Sequence, residues 1–321
     1  MVGILGGMVG PLHAGARGAV RVDPQAYGLA HRNPREPGVR ATARGGAGTV
    51  STLGMGPAGK GTVRPVIPIR DDNPTAHRAV VTLILIAVNI AIYFGIQYPK
   101  HDSNAEALFE YKWAGVPCEV HTGKPVVIVP EGSAAAVSGR CAIPAAGITV
   151  PQTAFPHKNI WLSIFFSMFL HASILHVLGN MLFLWIFGNN VEDQLGMIGF
   201  LVLYLVGGIV ASLVYIVGNL DSTSPFLGAS GAIAVVMGAY IVWWPRARVL
   251  TVIPPFFFLP FRLPAVVVLG LWFVLQVFTQ SSSGVATLAH IGGFLFGALI
   301  ALVLARTAGY PRRIPTTRLR F

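Results

Sequence analysis

Few side chains in this 321-residue sequence could do chemistry, because only 11% of its residues are charged. No Asp, Glu, Lys or Arg falls in the middle of any long apolar run. What interrupts those runs is His171, His176 and His290, the amide of Asn180, and Ser230 within Gly228-Ala229-Ser230-Gly231. The remaining histidines, at positions 13, 31, 77, 101, 121 and 157, fall in tails or loops. Polar and ionisable groups inside apolar segments are costly and mark function by default. Serine is a weak nucleophile until a neighbouring base takes its proton, and histidine is the commonest such base. Ser230 and His290 therefore outline acyl-transfer chemistry by a dyad. No carboxylate in the runs could complete a triad, and Asp221, in the loop before Ser230, is the nearest acid in sequence. A catalytic zinc site needs three protein ligands. The apolar runs offer neither acidic nor cysteine companions for the histidines, so no metal and no cofactor is expected.

Spacing sharpens these roles. His176 and Asn180 are four residues apart and share one face of a helix. On a continuous helix His171 would point about 140° away from His176. Ser230 opens an apolar segment, where free N–H groups and the positive end of the helix dipole can stabilise an oxyanion. Gly228 and Gly231 leave room beside it for a substrate backbone. His290, Gly293 and Gly297 recur on one helix face. Gly293 and Gly297 form a small-xxx-small pattern that lets two helices approach closely. If the neighbour is the segment that begins at Ser230, His290 is carried against Ser230. Packing alone accounts for the glycines, but not for a histidine where a hydrophobe would cost less to bury.

The elements that must position these groups are membrane helices. The chain is 54% hydrophobic with a mean hydropathy of +0.65, and runs of about 20 apolar residues are the mark of membrane spans. Six such segments follow a Gly-, Ala-, Pro- and Arg-rich stretch: 79–97, 161–187, 197–217, 228–244, 263–278 and 286–305. The expected fold is an all-α membrane protein, a six-transmembrane-helix bundle over residues 71–305. Residues 1–70 form a tail too poor in apolar residues to fold, although an Arg-rich, acid-poor tail also fits an organellar transit peptide. Residues 306–321 form a basic C-terminal tail.

Arg and Lys concentrate before the first segment, after the fourth (Arg246, Arg248, Arg262) and after the sixth. The positive-inside rule then puts both termini and a turn at Glu192–Asp193 on the cytoplasmic side, and the 98–160 loop outside it. That loop holds both cysteines, Cys118 and Cys141. An oxidising compartment favours a disulfide between them, and two free thiols are the alternative. The basic charge is a tail beside anionic headgroups of a lipid bilayer. It has no basic helix face with interleaved aromatics, so no nucleic-acid partner is expected. A transporter would show internal repeats or broken helices, and neither is evident.

Three motifs together resemble the rhomboid intramembrane serine proteases: His171-x4-His176-x3-Asn180, Gly228-Ala229-Ser230-Gly231, and Ala289-His290-x-Gly292-Gly293-x3-Gly297. The lead Arg70-Asp71-Asp72-Asn73-Pro74 is similar to bacterial members. The resemblance implies Ser230 as nucleophile and His290 as general base. It implies His176, Asn180 and the Ser230 backbone N–H as oxyanion donors, and His171 as support for the first outer loop. It implies transmembrane proteins as substrates, cut near helix-destabilising residues, and residence in a bacterial inner membrane, with an organellar membrane as the other option. Ala234 departs from the family pattern, which often sets an aromatic ring there against the base. The Ser- and Gly-rich stretch 279–285 is a candidate cap over the site. The rival reading is a catalytically silent relative that binds membrane proteins and routes them. Oligomeric state is not legible.

Overall fold

The first apolar run enters its helix at Ala79, a residue with no side chain able to cap. An acid far along the chain, Glu192, takes over the capping. This computed structural model describes residues 20–21, 67–100, 103–130, 141–146, 152–252, 260–278 and 286–311. A strand β1 (Val20–Arg21) and a strand β2 (Ile67–Asp71) precede helix α1 (Val80–Ile92), which continues through a wide turn, Tyr93–Gln97, and a tight one, Tyr98–Lys100. Next come α2 (Ser103–Trp113), α3 (Pro117–Thr122), β3 (Val127–Pro130), β4 (Ala142–Ala146), β5 (Gln152–Thr153) and α4 (Ile160–Ser167). The chain ends in α5 (Ile174–Val217), α6 (Ser230–Trp243), β6 (Arg248–Val252), β7 (Phe261–Pro264), α7 (Ala265–Phe278) and α8 (Thr287–Thr307).

The result is a mostly helical membrane fold. Among the described residues, three helical stretches are long and apolar enough to cross a bilayer: Val80–Lys100, Ile174–Val217 and Thr287–Thr307. The 44-residue α5 is kinked at Gly196, whose φ of 72° and ψ of 169° are non-helical. A positive φ is open to glycine at no steric cost, so the second and third apolar segments become two helices joined by one residue. At 14 residues each, α6 and α7 fall short of the about 20 residues a full span requires. Helix α6 is the centre of the bundle: from Ser230 to Tyr240 every residue is buried. A helix buried all round must be apolar all round, which is why a serine at its first position stands out.

Structure departs from the sequence expectation in four places. The segment expected to run unbroken over 161–187 is interrupted at 168–173, and α5 starts afresh with Ser173 as its N-cap, its Oγ accepting from the His176 N–H at 3.1 Å. A serine hydroxyl here satisfies one of the four free N–H groups of a new helix start. Glu192 and Asp193 do not form the turn. They lie in the last helical residues before Gly196, where Glu192 caps α1 and Asp193 holds the segment that leads into it. Glu192 accepts from Val81 N (2.8 Å), Thr82 N (2.7 Å) and Thr82 Oγ1 (2.7 Å), and Asp193 accepts from Ala76 N and His77 N, each at 2.9 Å. Negative charge at a helix N-terminus is stabilising, and both helices meet at this end of the bundle.

The 98–160 stretch is not a bare loop. It holds α2, α3 and the strands β3, β4 and β5 of a small sheet whose order, with β1, is β1-β4-β3-β5. Inside it the Lys158 ammonium, 2.5 Å from Glu119 Oε2, also donates to the Tyr111 and Ala114 carbonyls at 2.8 Å. Burial pulls Lys158 below the ordinary lysine range, and Glu119 opposes that shift. Cys118 and Cys141 are joined as a disulfide with Cα atoms 5.4 Å apart, inside the about 7 Å limit. Finally, Val20–Arg21 pairs in parallel with Ala145–Ala146, not with the tail end of the bundle, where β2, β6 and β7 form an antiparallel sheet. A two-residue parallel bridge holds few hydrogen bonds. The expected unfolded tail 1–70 is ordered at its end, where Ile67–Arg70 pair as part of β2; apart from Val20–Arg21 the rest of that tail, the 279–285 cap and residues 312–321 lie outside the described residues.

Candidate active site

Ser230 and His290 meet because glycine lets their helices touch. A Cβ at Gly293 would collide with the Gly231 carbonyl oxygen, and one at Gly297 with the Val235 carbonyl oxygen. So α6 and α8 are in backbone contact, as small-xxx-small packing requires. One turn from this contact, His290 Nε2 lies 2.7 Å from Ser230 Oγ. Both are buried, at 2% and 7% exposure.

His176 borders the same place. Gly228 has φ +131°, a conformation L residues rarely adopt, and a Cβ there would sit 2.9 Å from His176 Nε2 and 3.5 Å from Ser230 Oγ. The His176 ring edge and the serine hydroxyl thus flank one small volume beside the start of α6. Asn180, one turn along α5, is fully buried, and its amide nitrogen and oxygen have no hydrogen-bond partner among the described residues. An unmade amide bond in an apolar interior costs roughly 1–3 kcal/mol.

His171 is outside α5, so the helical angle expected from its sequence spacing does not apply. Its ring lies edge-on to His176, centroids 5.1 Å apart. Its backbone is clamped by Gln97, which accepts from His171 N at 2.9 Å and donates to His171 O at 3.1 Å. The clamp ties the lead into α5 to the end of the first helix.

Ser167 performs a similar task for the segment that leads into Ser230. Its carbonyl accepts from Gly228 N (2.8 Å) and its Oγ from Gly115 N (2.7 Å). Phe226 N in turn donates to Gly115 O at 2.9 Å. The folded insertion is thereby stitched to the strained segment that presents Ser230.

Sequence reasoning missed one contact. Gln276, on α7 and 2% exposed, places Oε1 at 2.7 Å from His290 Nδ1. It is the lone amide in its apolar segment, and that isolation was the available signal. Asp221, the acid nearest in sequence, is elsewhere: its side chain is 98% exposed and lies 3.9 Å from His121. The ring absent at Ala234 is supplied by Trp272, whose centroid is 5.8 Å from that of His290.

Residues 158–307 match the family model described as the Rhomboid domain. "Presenilin-associated rhomboid-like protein A, mitochondrial" of Danio rerio is 35% identical over 147 residues, covering 44% of this chain and 37% of that relative. "Rhomboid protein 1, mitochondrial" of Saccharomyces cerevisiae is 27% identical over 256 residues, 75% of this chain and 67% of the relative. "Rhomboid protease GlpG" of Yersinia pestis is 28% identical over 151 residues, 47% and 50% of the two chains. The match thus spans little more than a third of the Danio rerio relative's own length, at 37%. The Rhomboid-domain match takes in every element from α4 to α8, so residues 158–307 of this chain carry a rhomboid-like domain.

Proposed function

We propose that this protein is an intramembrane serine endopeptidase that cuts transmembrane proteins in or near their spans. The observation that carries the reading is the 2.7 Å contact between Ser230 Oγ and His290 Nε2, buried within the helical bundle. In the proposed reaction His290 Nε2 takes the Ser230 proton as Oγ attacks the substrate carbonyl carbon. The resulting oxyanion faces the Ser230 backbone N–H, His176 and Asn180. Collapse of the tetrahedral species breaks the peptide bond, and His290 returns its proton to the leaving amine. Water, deprotonated by the same nitrogen, then hydrolyses the acyl-enzyme. The substrate helix must unwind first, since its carbonyls are otherwise hydrogen-bonded.

Six spans over residues 71–305, with the termini on one side and the disulfide-bearing insertion on the other, complete the reading. The charge distribution supports this orientation, and a disulfide suits an oxidising compartment. Relatives named as mitochondrial favour an organellar membrane over a bacterial inner membrane, and membrane fractionation of the source cells separates the two. The functional test is cleavage of a model single-pass substrate in bilayers, with Ser230→Ala and His290→Ala alongside. Both variants are expected to be inactive. Undiminished cleavage by Ser230→Ala would remove the nucleophile assignment, and no cleavage by the unaltered protein would favour a silent binding relative.

A further inference from the structure

Helix α7 contributes two side chains to His290, Trp272 and Gln276, one turn apart on the same face. Trp272 walls one side of the imidazole, and Gln276 Oε1 meets its Nδ1. We propose that Gln276 is a positioning residue that sets the tautomer and ring orientation of His290, so that the working unit is Ser230–His290–Gln276. This inference rests on the protease reading above.

The chemistry follows from donor and acceptor rules. An amide oxygen has no proton and can only accept, so Nδ1 must carry the hydrogen. The lone pair of neutral imidazole is then on Nε2, facing the Ser230 hydroxyl. In the other tautomer Nε2 would present N–H to the serine and could not take its proton. In Ser-His-Asp enzymes a buried carboxylate does this orienting, and the wrong tautomer is severely impaired. A carboxylate in an apolar helix would be costly to bury. A neutral amide offers the same acceptor without a charge to desolvate, at the loss of direct charge stabilisation of the imidazolium.

The experiment compares Gln276→Leu, Gln276→Met and Gln276→Glu with the unaltered protein, using cleavage kinetics in bilayers and labelling of Ser230 by a fluorophosphonate. Leu and Met remove the acceptor at similar volume, and Met keeps the unbranched shape should Leu fail to fold. Glu keeps an acceptor oxygen whether or not it is protonated. The expected result is a fall in kcat of about 10- to 100-fold for Leu and Met, from the loss of one hydrogen bond to a buried donor. KM should stay within about twofold, since no substrate contact is removed, labelling should slow in parallel, and Glu should recover most of the rate. Unchanged kcat in Leu or Met, or a Glu variant as slow as Leu, would overturn the inference while leaving the dyad standing. Cleavage by Ser230→Ala in the same assay would instead remove the protease reading, and the role of Gln276 with it.

Discussion

Replacing Gly297 by alanine tests whether the α6–α8 contact builds the site. A Cβ at Gly297 would lie 2.6 Å from the Val235 carbonyl carbon, 2.8 Å from its Cα and closer still to its oxygen, against 3.4–4 Å for ordinary contact. All three atoms are backbone, so no side-chain rotation relieves the overlap. The helices must part by about 1 Å, and overpacking of this kind costs roughly 1–3 kcal/mol. His290 sits on the same helix about two turns away, and a 1 Å misplacement can cost roughly 100-fold in rate. Gly270 on α7 is the matched control: nothing lies within 4 Å of a Cβ placed there. Alanine at that helical position is expected to be neutral or up to about 1 kcal/mol stabilising. Thermal unfolding in detergent and substrate cleavage in bilayers measure both variants. Gly297→Ala should melt lower and cleave far more slowly, while Gly270→Ala does neither. A Gly297→Ala protein with unchanged melting and rate would refute the close-packing account of how Ser230 and His290 are brought together.

Two further predictions concern groups away from the site. Asp71 accepts from Asn190 Nδ2 at 2.7 Å and Tyr240 Oη at 2.8 Å. Burial nevertheless raises its carboxyl from 3.8 to about 6. The folded protein therefore holds this proton longer than the unfolded chain does. Its contribution to stability is most favourable below the unfolded value and is lost as pH rises through that window, by about 3 kcal/mol at 1.36 kcal/mol per unit. Asp71→Asn should remove this decline from the melting curve between pH 4 and 7, and an unchanged slope would show that another group is responsible. In the insertion, Lys158→Met leaves the Glu119 carboxylate buried without its cation, at roughly 3–5 kcal/mol. Lys158→Met combined with Glu119→Gln should cost less than Lys158→Met alone. A double variant as unstable as the sum of the two single changes would argue against coupling of the pair.

Sequence alone was sufficient for those features that depend on a local property of the chain. Length and continuity of apolar runs mark the bundle helices, and the Gly293–Gly297 repeat marks a face built for close contact. The cost of polar groups in such runs singles out His176, Asn180, Ser230 and His290. It also flagged His171, but with the wrong geometry, because hydropathy does not register a helix break where the backbone finds a serine cap at Ser173. Glu192 and Asp193 read as a turn for the same reason: their partners, free N–H groups in the first turn of α1 and in the segment before it, are over a hundred residues away in sequence. Gln276 and Trp272 were legible only as a polar and an aromatic residue in an apolar segment. Which neighbour they meet depends on the rotation of α7 about its axis, and that is set by packing against α8. The Ser230–His290 pair was visible as two residues, whereas the acceptor and the ring that orient the histidine were decided by tertiary structure, since hydrogen bonds between helices leave no trace in the periodicity of either one.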